Sequence, residues 1–116
     1  MMPKKIPHVS LVAGKEQKYV CFQLILPDQK EALTLWGDPK ATYHSDIVDK
    51  VWKRIRNRVH DCTVKGGGRI LIRTKEKVIF VWGHSLEYGP ANLDRVAEVL
   101  HTAYPDYEIR LETEPD

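Results

Sequence analysis

The spacing of hydrophobic residues changes from one part of the chain to the next. Across residues 18–26, apolar and polar positions alternate with the period of two that is typical of a β-strand. The apolar side of this strand consists of Val20, Phe22, Leu24 and Leu26. The same spacing predicts strands over residues 32–36 and 107–111, and a hairpin that joins residues 70–74 to residues 78–82.

Residues 45–59 instead carry their apolar side chains at helical spacing. This stripe consists of Ile47, Val48, Val51, Trp52, Ile55 and Val59. Either Thr42 or Ser45 is predicted to cap the helix, since both side chains can accept a hydrogen bond from a free amide of the first turn. His44 is therefore expected at or just before the helix start.

A second helix is predicted over residues 90–103, because Pro90 suits a first helical turn and Pro105 prevents the helix from continuing. The elements together indicate an α+β fold with a single mixed, largely antiparallel sheet of about five or six strands and two covering helices. At 116 residues the chain has the length of one domain, so residues 1–116 are expected to form a single unit with residues 1–6 flexible.

Composition narrows the classes of protein to consider. The 18 basic and 16 acidic residues leave a net charge of +2, which is too small a bias to predict nucleic-acid binding. Cys21 and Cys62 form neither a zinc motif nor a disulfide framework, which is typical of a reducing compartment. No long apolar stretch follows the first residues, so we expect no signal peptide, no membrane span and a cytoplasmic location. Nothing in the sequence requires more than a monomer.

Three short segments carry the candidate chemistry: Tyr-His-Ser-Asp at residues 43–46, Gly-Gly-Gly-Arg at residues 66–69, and Ser-Leu-Glu-Tyr-Gly-Pro-Ala at residues 85–91. Each combines a reactive or cationic side chain with backbone that can approach a small anion. Successive glycine N–H groups can form an anion nest, and a helix that opens near Pro90 would direct further N–H groups at the same charge. The histidine of the first segment, His44, then suggests chemistry on a phosphoryl group without a metal.

The same residues admit simpler interpretations. The glycines lack the Gly-Lys-Ser/Thr of a phosphate-binding P-loop and can equally form a turn or a bulge that leads into a strand. His44 can equally be a polar residue at a helix end, and the segment from Ser85 can be a plain helix-entry turn. The other histidines have no metal-ligand spacing, so no metal site is predicted.

Five motifs occur in an order that resembles the Janus/ocnus family. They are Lys-Tyr-Val at 18–20, Tyr-His-Ser-Asp-Ile-Val-Asp-Lys-Val at 43–51, Gly-Gly-Gly-Arg-Ile at 66–70, Tyr-Gly-Pro-Ala at 88–91 and Ala-Tyr-Pro-Asp-Tyr-Glu at 103–108. The resemblance extends over nearly the whole chain, from Lys18 to Leu111.

The resemblance implies a small cytosolic α+β phosphatase that hydrolyses the P–N bond of phosphohistidine in proteins, without a metal ion or other cofactor. His44 matches the catalytic histidine of the family. The residues that match its phosphate contacts are Lys18, Arg69, Ser85, Leu86 and Glu87, the last three acting largely through backbone N–H groups and the serine. The expected partners are phosphohistidine-containing proteins, and neither nucleic acid nor a membrane.

The role of His44 has two forms: a general base that activates water, which we prefer, or a nucleophile that carries the phosphoryl group transiently. Arg69 can alternatively pair with a nearby carboxylate instead of contacting phosphate. Lys18 can alternatively be a solvated residue at the end of a strand.

Two positions depart from the family pattern. Trp36 replaces an arginine that members can carry, and Glu87 replaces a small neutral residue. Both favour the alternative of a non-catalytic phosphoprotein-binding module with the same fold. Trp36 is predicted at the pocket rim, whereas Trp52 and Trp82 are predicted in the core. A nucleic-acid-binding domain that uses the basic helix is a further alternative, which the charge balance disfavours.

Overall fold

The structure is a computed structural model that describes residues 6–116. In chain order its elements are β1 (Val9–Ser10), β2 (Gln17–Ile25), β3 (Glu31–Asp38), α1 (His44–Ile55), β4 (Asp61–Arg73), β5 (Val78–Trp82), α2 (Leu93–Ala103) and β6 (Glu108–Leu111). Within the described residues the strands form one six-stranded sheet in the order β1-β3-β2-β4-β5-β6. The pairs β1–β3 and β5–β6 are parallel, and the three central pairs are antiparallel. The predicted α+β fold with a mixed, largely antiparallel sheet is confirmed.

The two helices cover opposite faces of the sheet. Alternate residues of β2 point to opposite faces, and both sets are buried. The set that includes Val20 and Phe22 packs with α1, and the set that includes Tyr19 and Cys21 packs with α2. The predicted apolar side of β2 therefore forms the core beneath α1. We call this side of the sheet the α1 face.

Helix α1 begins and ends earlier than residues 45–59. Its N-cap is Tyr43, so the prediction that Thr42 or Ser45 caps the helix was wrong. The Asp46 carboxylate instead accepts a hydrogen bond from the Tyr43 N–H at 2.9 Å. The helix ends at Ile55, and after a turn the His60 N–H donates to the Ile25 carbonyl at 2.7 Å, at the end of β2, where β4 begins.

Helix α2 begins at Leu93 rather than at Pro90, which corrects the predicted helix start. Asn92 is the N-cap, and its side chain accepts a hydrogen bond from the Arg95 N–H at 3.2 Å. Pro90 lies in extended backbone beside Gly67, as an isolated bridge to β4. Helix α2 therefore begins after the segment of residues 85–91 and not within it.

The glycine run lies inside β4, which is longer than the hairpin strand predicted from the sequence. Opposite Val20 and Phe22, β4 carries one extra residue, and Gly66 has a positive φ of 93°. The bulge interpretation is therefore confirmed. The anion-nest prediction was wrong, because the Gly67 N–H already donates to the Gly89 carbonyl at 3.1 Å.

Two tryptophans differ from expectation. Trp36 is 7% exposed and packs in the core beneath α1, where it lines a cavity with Arg54 and Arg58 that contains none of the predicted site residues. Trp52 is 44% exposed, because it lies one position beyond Val51, outside the line of buried residues on α1. Trp82, at the end of β5, is partly buried.

Neither helix within residues 6–116 is long and apolar enough to cross a membrane. The expected flexibility of residues 1–6 falls on a segment whose first five residues lie outside the described part, whereas Ile6 packs against the core beneath α1. The assignment of residues 1–116 to a single domain stays a prediction.

Candidate functional site

His44 is held at the start of α1 by backbone of β4. It is the first residue of the helix and is only 5% exposed. Its Nε2 lies 3.0 Å from the Gly68 carbonyl oxygen. A carbonyl oxygen only accepts hydrogen bonds, so Nε2 must carry the hydrogen of this contact. In the neutral ring the lone pair is then on Nδ1, which has no hydrogen bond to a described residue.

The glycines of β4 make room for this ring. A Cβ at Gly67 would lie 3.1 Å from His44 Cδ2 and would overlap the carbonyl oxygen of Tyr19. Only glycine therefore allows the imidazole and β2 to approach this point of the sheet together.

Residues 85–89 form a closed turn that is anchored on β4. The Ser85 N–H is shared between the carbonyls of Gly67 at 3.1 Å and Gly89 at 3.3 Å. The Ser85 side chain is buried, and its Oγ accepts hydrogen bonds from the N–H groups of Glu87 at 3.2 Å and Tyr88 at 3.1 Å. Among the amides of residues 85–87, that of Leu86 makes no hydrogen bond to the part of the chain that the structure describes.

The turn also contacts the first turn of α1. The Ser45 N–H donates to Glu87 Oε1 at 3.2 Å. Burial raises the pKa of the Tyr88 hydroxyl, and the carboxylates of Glu87 and of Asp49 on α1 raise it further. The hydrogen bond between Ser45 and Glu87 places the turn beside His44, which directly precedes Ser45.

Lys18 and Arg69 are cross-strand neighbours on β2 and β4. Each lies two positions from the Val20–Gly67 pair, so both side chains are on the α1 face, as His44 is. Arg69 forms an exposed ion pair with Glu16 at 3.3 Å, as one sequence interpretation expected. Lys18 is half-buried and forms no ion pair with any residue between 6 and 116.

The structure thus brings the sequence-predicted residues to one side of the sheet. His44 and the turn at residues 85–89 meet across Gly67, and Lys18 and Arg69 lie on the same face. Sequence analysis missed the Gly68 carbonyl and the Ser45 amide. The glycines within β4 were the available signal, because a glycine inside a strand often marks the close approach of another group.

Across residues 6–116, no group of three or more histidine, cysteine, aspartate or glutamate side chains is arranged to hold a metal ion.

We expect Ser85→Ala to lower the free energy of unfolding by about 1–2 kcal/mol, because the amides of Glu87 and Tyr88 lose their acceptor. Urea denaturation measures this loss. Ser45→Ala is the matched control, since the Ser45 hydroxyl has no hydrogen bond among the described residues. Equal stability of the two variants would show that Ser85 does not hold the turn together.

The similarity to a known family is not limited to the five motifs and extends along almost the entire chain. The family model described as Janus/Ocnus family matches residues 3–108. This chain belongs to the Janus/Ocnus family.

Two kinds of name occur among the curated relatives most similar to this chain. The chain is similar to the human 14 kDa phosphohistidine phosphatase, with 44% identity over 110 residues that cover 90% of this chain and 88% of that protein. It is 41% identical over 113 residues to the pig protein of the same name, with the same coverage of each chain. It is also 33% identical over 100 residues to the sex-regulated protein janus-A of Drosophila yakuba, covering 84% of this chain and 72% of janus-A. Because only the first name states a reaction, Janus/Ocnus membership by itself does not assign an activity to this chain.

Proposed function

We propose that this protein is a phosphohistidine phosphatase that hydrolyses the P–N bond of phosphohistidine in proteins, with His44 as general base and without a metal. The observation that carries the proposal is the contact between His44 Nε2 and the Gly68 carbonyl, which leaves Nδ1 as the ring atom that can accept a proton. Further support comes from relatives named for this reaction at 41–44% identity over 90% of the chain. We further propose that the protein is cytoplasmic and monomeric.

In the proposed reaction, a water molecule attacks phosphorus and gives a proton to Nδ1 of His44. The new P–O bond forms as the P–N bond breaks, and the bonding pair returns to the imidazole nitrogen of the substrate. That nitrogen takes up the proton that Nδ1 received, which returns His44 to its neutral form, so the products are histidine and inorganic phosphate. The hydrogen bond to Gly68 keeps the ring oriented, which is the role that a carboxylate or carbonyl has for other catalytic histidines.

Phosphoryl transfer requires mainly positioning and stabilisation of negative charge on the equatorial oxygens. We assign this role to the Lys18 ammonium and to the amide of Leu86, which is the amide of the turn with no internal partner in the described residues. Ser85 keeps the turn closed, and Glu87 and Arg69 border the same space. Arg69 can contribute a direct contact when it leaves its exposed pair with Glu16, which is a weak interaction of about 0–1 kcal/mol.

A nucleophilic role for His44 predicts a different intermediate. Nδ1 would then attack phosphorus and carry the phosphoryl group before water removes it. Rapid quenching under alkaline conditions, followed by mass analysis of the protein, detects a phosphohistidine at residue 44. The general-base mechanism predicts none.

The proposed activity is tested by the release of inorganic phosphate from a phosphohistidine peptide in an excess of chelator. We expect the rate to be the same with and without chelator. Loss of the activity on chelation would reject the metal-free mechanism.

A non-catalytic phosphoprotein-binding module is the second candidate. The observation that favours it is the Glu87 carboxylate, which already occupies the Ser45 N–H beside His44. This candidate predicts that the phosphohistidine peptide binds and that no phosphate is released under any condition.

We expect Lys18→Gln to lower kcat/KM by about tenfold, because a half-buried ammonium near a phosphoryl dianion contributes roughly 1.4 kcal/mol of attraction. Lys30→Gln is the matched control, since Lys30 is exposed at the opposite end of β2. Steady-state kinetics on the phosphohistidine peptide compares the two variants. Equal kcat/KM values would remove Lys18 from the site.

A further inference from the structure

The carboxylate of Glu87 sits where an anion would bind to α1. Its Oε1 accepts a hydrogen bond from the Ser45 N–H at 3.2 Å, and Ser45 directly follows His44. The next amide, that of Asp46, donates to the Tyr43 carbonyl at 3.1 Å. The first turn of a helix favours a negative charge, because its free N–H groups and the helix dipole act together. In this chain the negative charge comes from the protein itself.

The turn that carries this carboxylate is held at its base and exposed at its tip. Ser85 is 1% exposed and bonded to β4, whereas Glu87 and Leu86 are exposed. The Glu87 contact with Ser45 is thus an exposed, single hydrogen bond between the tip and α1. Such a contact can break without disturbing the base of the turn.

Neither Lys50 nor Arg69 pairs with the Glu87 carboxylate, whereas Lys18, which forms no ion pair among residues 6–116, lies on the same face. On this side of the molecule, Lys50 pairs with Asp38 at 3.3 Å and Arg69 pairs with Glu16 at 3.3 Å. A phosphoryl group carries a charge of about −1.5 to −2 at neutral pH, so it is repelled by a carboxylate only a few ångströms away. A phosphoryl group that binds beside His44 is therefore repelled by the Glu87 carboxylate for as long as that carboxylate stays on the Ser45 N–H.

We propose that Glu87 is a built-in competitor of the substrate: its carboxylate occupies the Ser45 N–H when the site is empty and leaves when a phosphoryl group binds beside His44. The proposal rests on the proposed function, because it concerns the same site. Glu87 then acts as a specificity residue. Inorganic phosphate and small phosphorylated molecules cannot displace the carboxylate efficiently, whereas a phosphohistidine within a protein can, since its other contacts offset the displacement. The same competition helps the phosphate product to leave.

The test is a titration of the full chain with inorganic phosphate, followed by the NMR shifts of backbone amides. The variants are Glu87→Gln, which removes the charge and keeps an oxygen that can accept from Ser45, and Glu87→Ala, which removes both. Glu98→Gln is the control, because it makes the same charge change at an exposed position of α2, on the opposite face of the sheet. We expect both Glu87 variants to bind phosphate about tenfold more tightly than the native chain, and the control to bind as the native chain does.

Kinetics supplies a readout that a purely structural role of Glu87 would not produce. We expect Glu87→Gln to lower KM for a phosphohistidine peptide and to strengthen inhibition by phosphate, with a smaller change in kcat. Equal or weaker phosphate binding by both Glu87 variants would overturn the proposal, as would the absence of phosphate binding in all the chains.

The binding result is independent of turnover. If the Glu87 variants gain phosphate affinity while no chain hydrolyses phosphohistidine, the competition is supported and the proposed activity is rejected. If the native chain hydrolyses phosphohistidine and the variants gain no affinity, the activity is supported and the competition is rejected.

Discussion

Replacing His44 with glutamine is expected to slow phosphohistidine hydrolysis by a factor of roughly 100 to 10,000, the range that a positioned general base contributes. The glutamine amide can still donate a hydrogen bond toward the Gly68 carbonyl, so the buried acceptor keeps a partner. No atom of the new side chain, however, can take a proton from water as Nδ1 of His44 does. Phosphate release from a phosphohistidine peptide measures the effect.

Glutamine at position 44 separates the loss of catalysis from a loss of stability, which alanine does not. Alanine would leave a cavity and an unpaired Gly68 carbonyl at a position that is 5% exposed. The control is His101→Gln, because His101 is exposed on α2 at the opposite face of the sheet. Hydrolysis by His44→Gln at the rate of this control would remove His44 from the mechanism.

Replacing Gly66 with alanine is expected to lower the free energy of unfolding by at least about 3 kcal/mol. Gly66 has a φ of 93°, and a Cβ at this position would overlap the carbonyl oxygen of Pro90. The alanine therefore strains its own backbone and also pushes the segment before α2 away from β4. Urea denaturation gives the loss of stability.

Gly14→Ala isolates the part of this effect that comes from the backbone. Gly14 also has a positive φ, of 79°, but a Cβ there would have no atom within 4 Å. We expect this variant to lose only the backbone cost of about 1–2 kcal/mol. If both variants lose the same stability, the packing of Pro90 against Gly66 does not matter to the fold.

Strands and helices whose apolar residues recur at a regular spacing could be predicted from the sequence. The alternation in β2 and the stripe on α1 report which side chains are buried, and burial is what forms these elements. The ends of the helices could not be predicted in the same way. Pro90 is a good helix starter, yet it pairs with Gly67, and Asn92 caps α2 instead. Contacts with a distant strand outweighed the local preference.

The candidate site likewise contains residues that could be predicted from the sequence and contacts that could not. His44 at a helix start could be predicted from the helical stripe that follows it. The segments at residues 66–69 and 85–91 were singled out as candidate anion sites from their residue types, whereas Lys18 and the roles of the individual contacts came from the resemblance to the Janus/ocnus family. The contact between Glu87 and Ser45 joins residues 42 positions apart, so no local pattern contains it. Likewise, the approach of His44 to Gly68 depends on how α1 packs on β4. The glycines of β4 indicated that another group approaches this strand closely, but they did not indicate which group.

The tautomer of His44 determines which ring nitrogen can react. A nitrogen-15 NMR spectrum of the protein labelled at histidine shows which nitrogen of the neutral ring carries hydrogen. We expect hydrogen on Nε2, where the Gly68 carbonyl accepts it, and a bare Nδ1 whose resonance shifts when inorganic phosphate is added. Hydrogen on Nδ1 with a bare Nε2, unchanged by phosphate, would contradict the assignment of Nδ1 as the base.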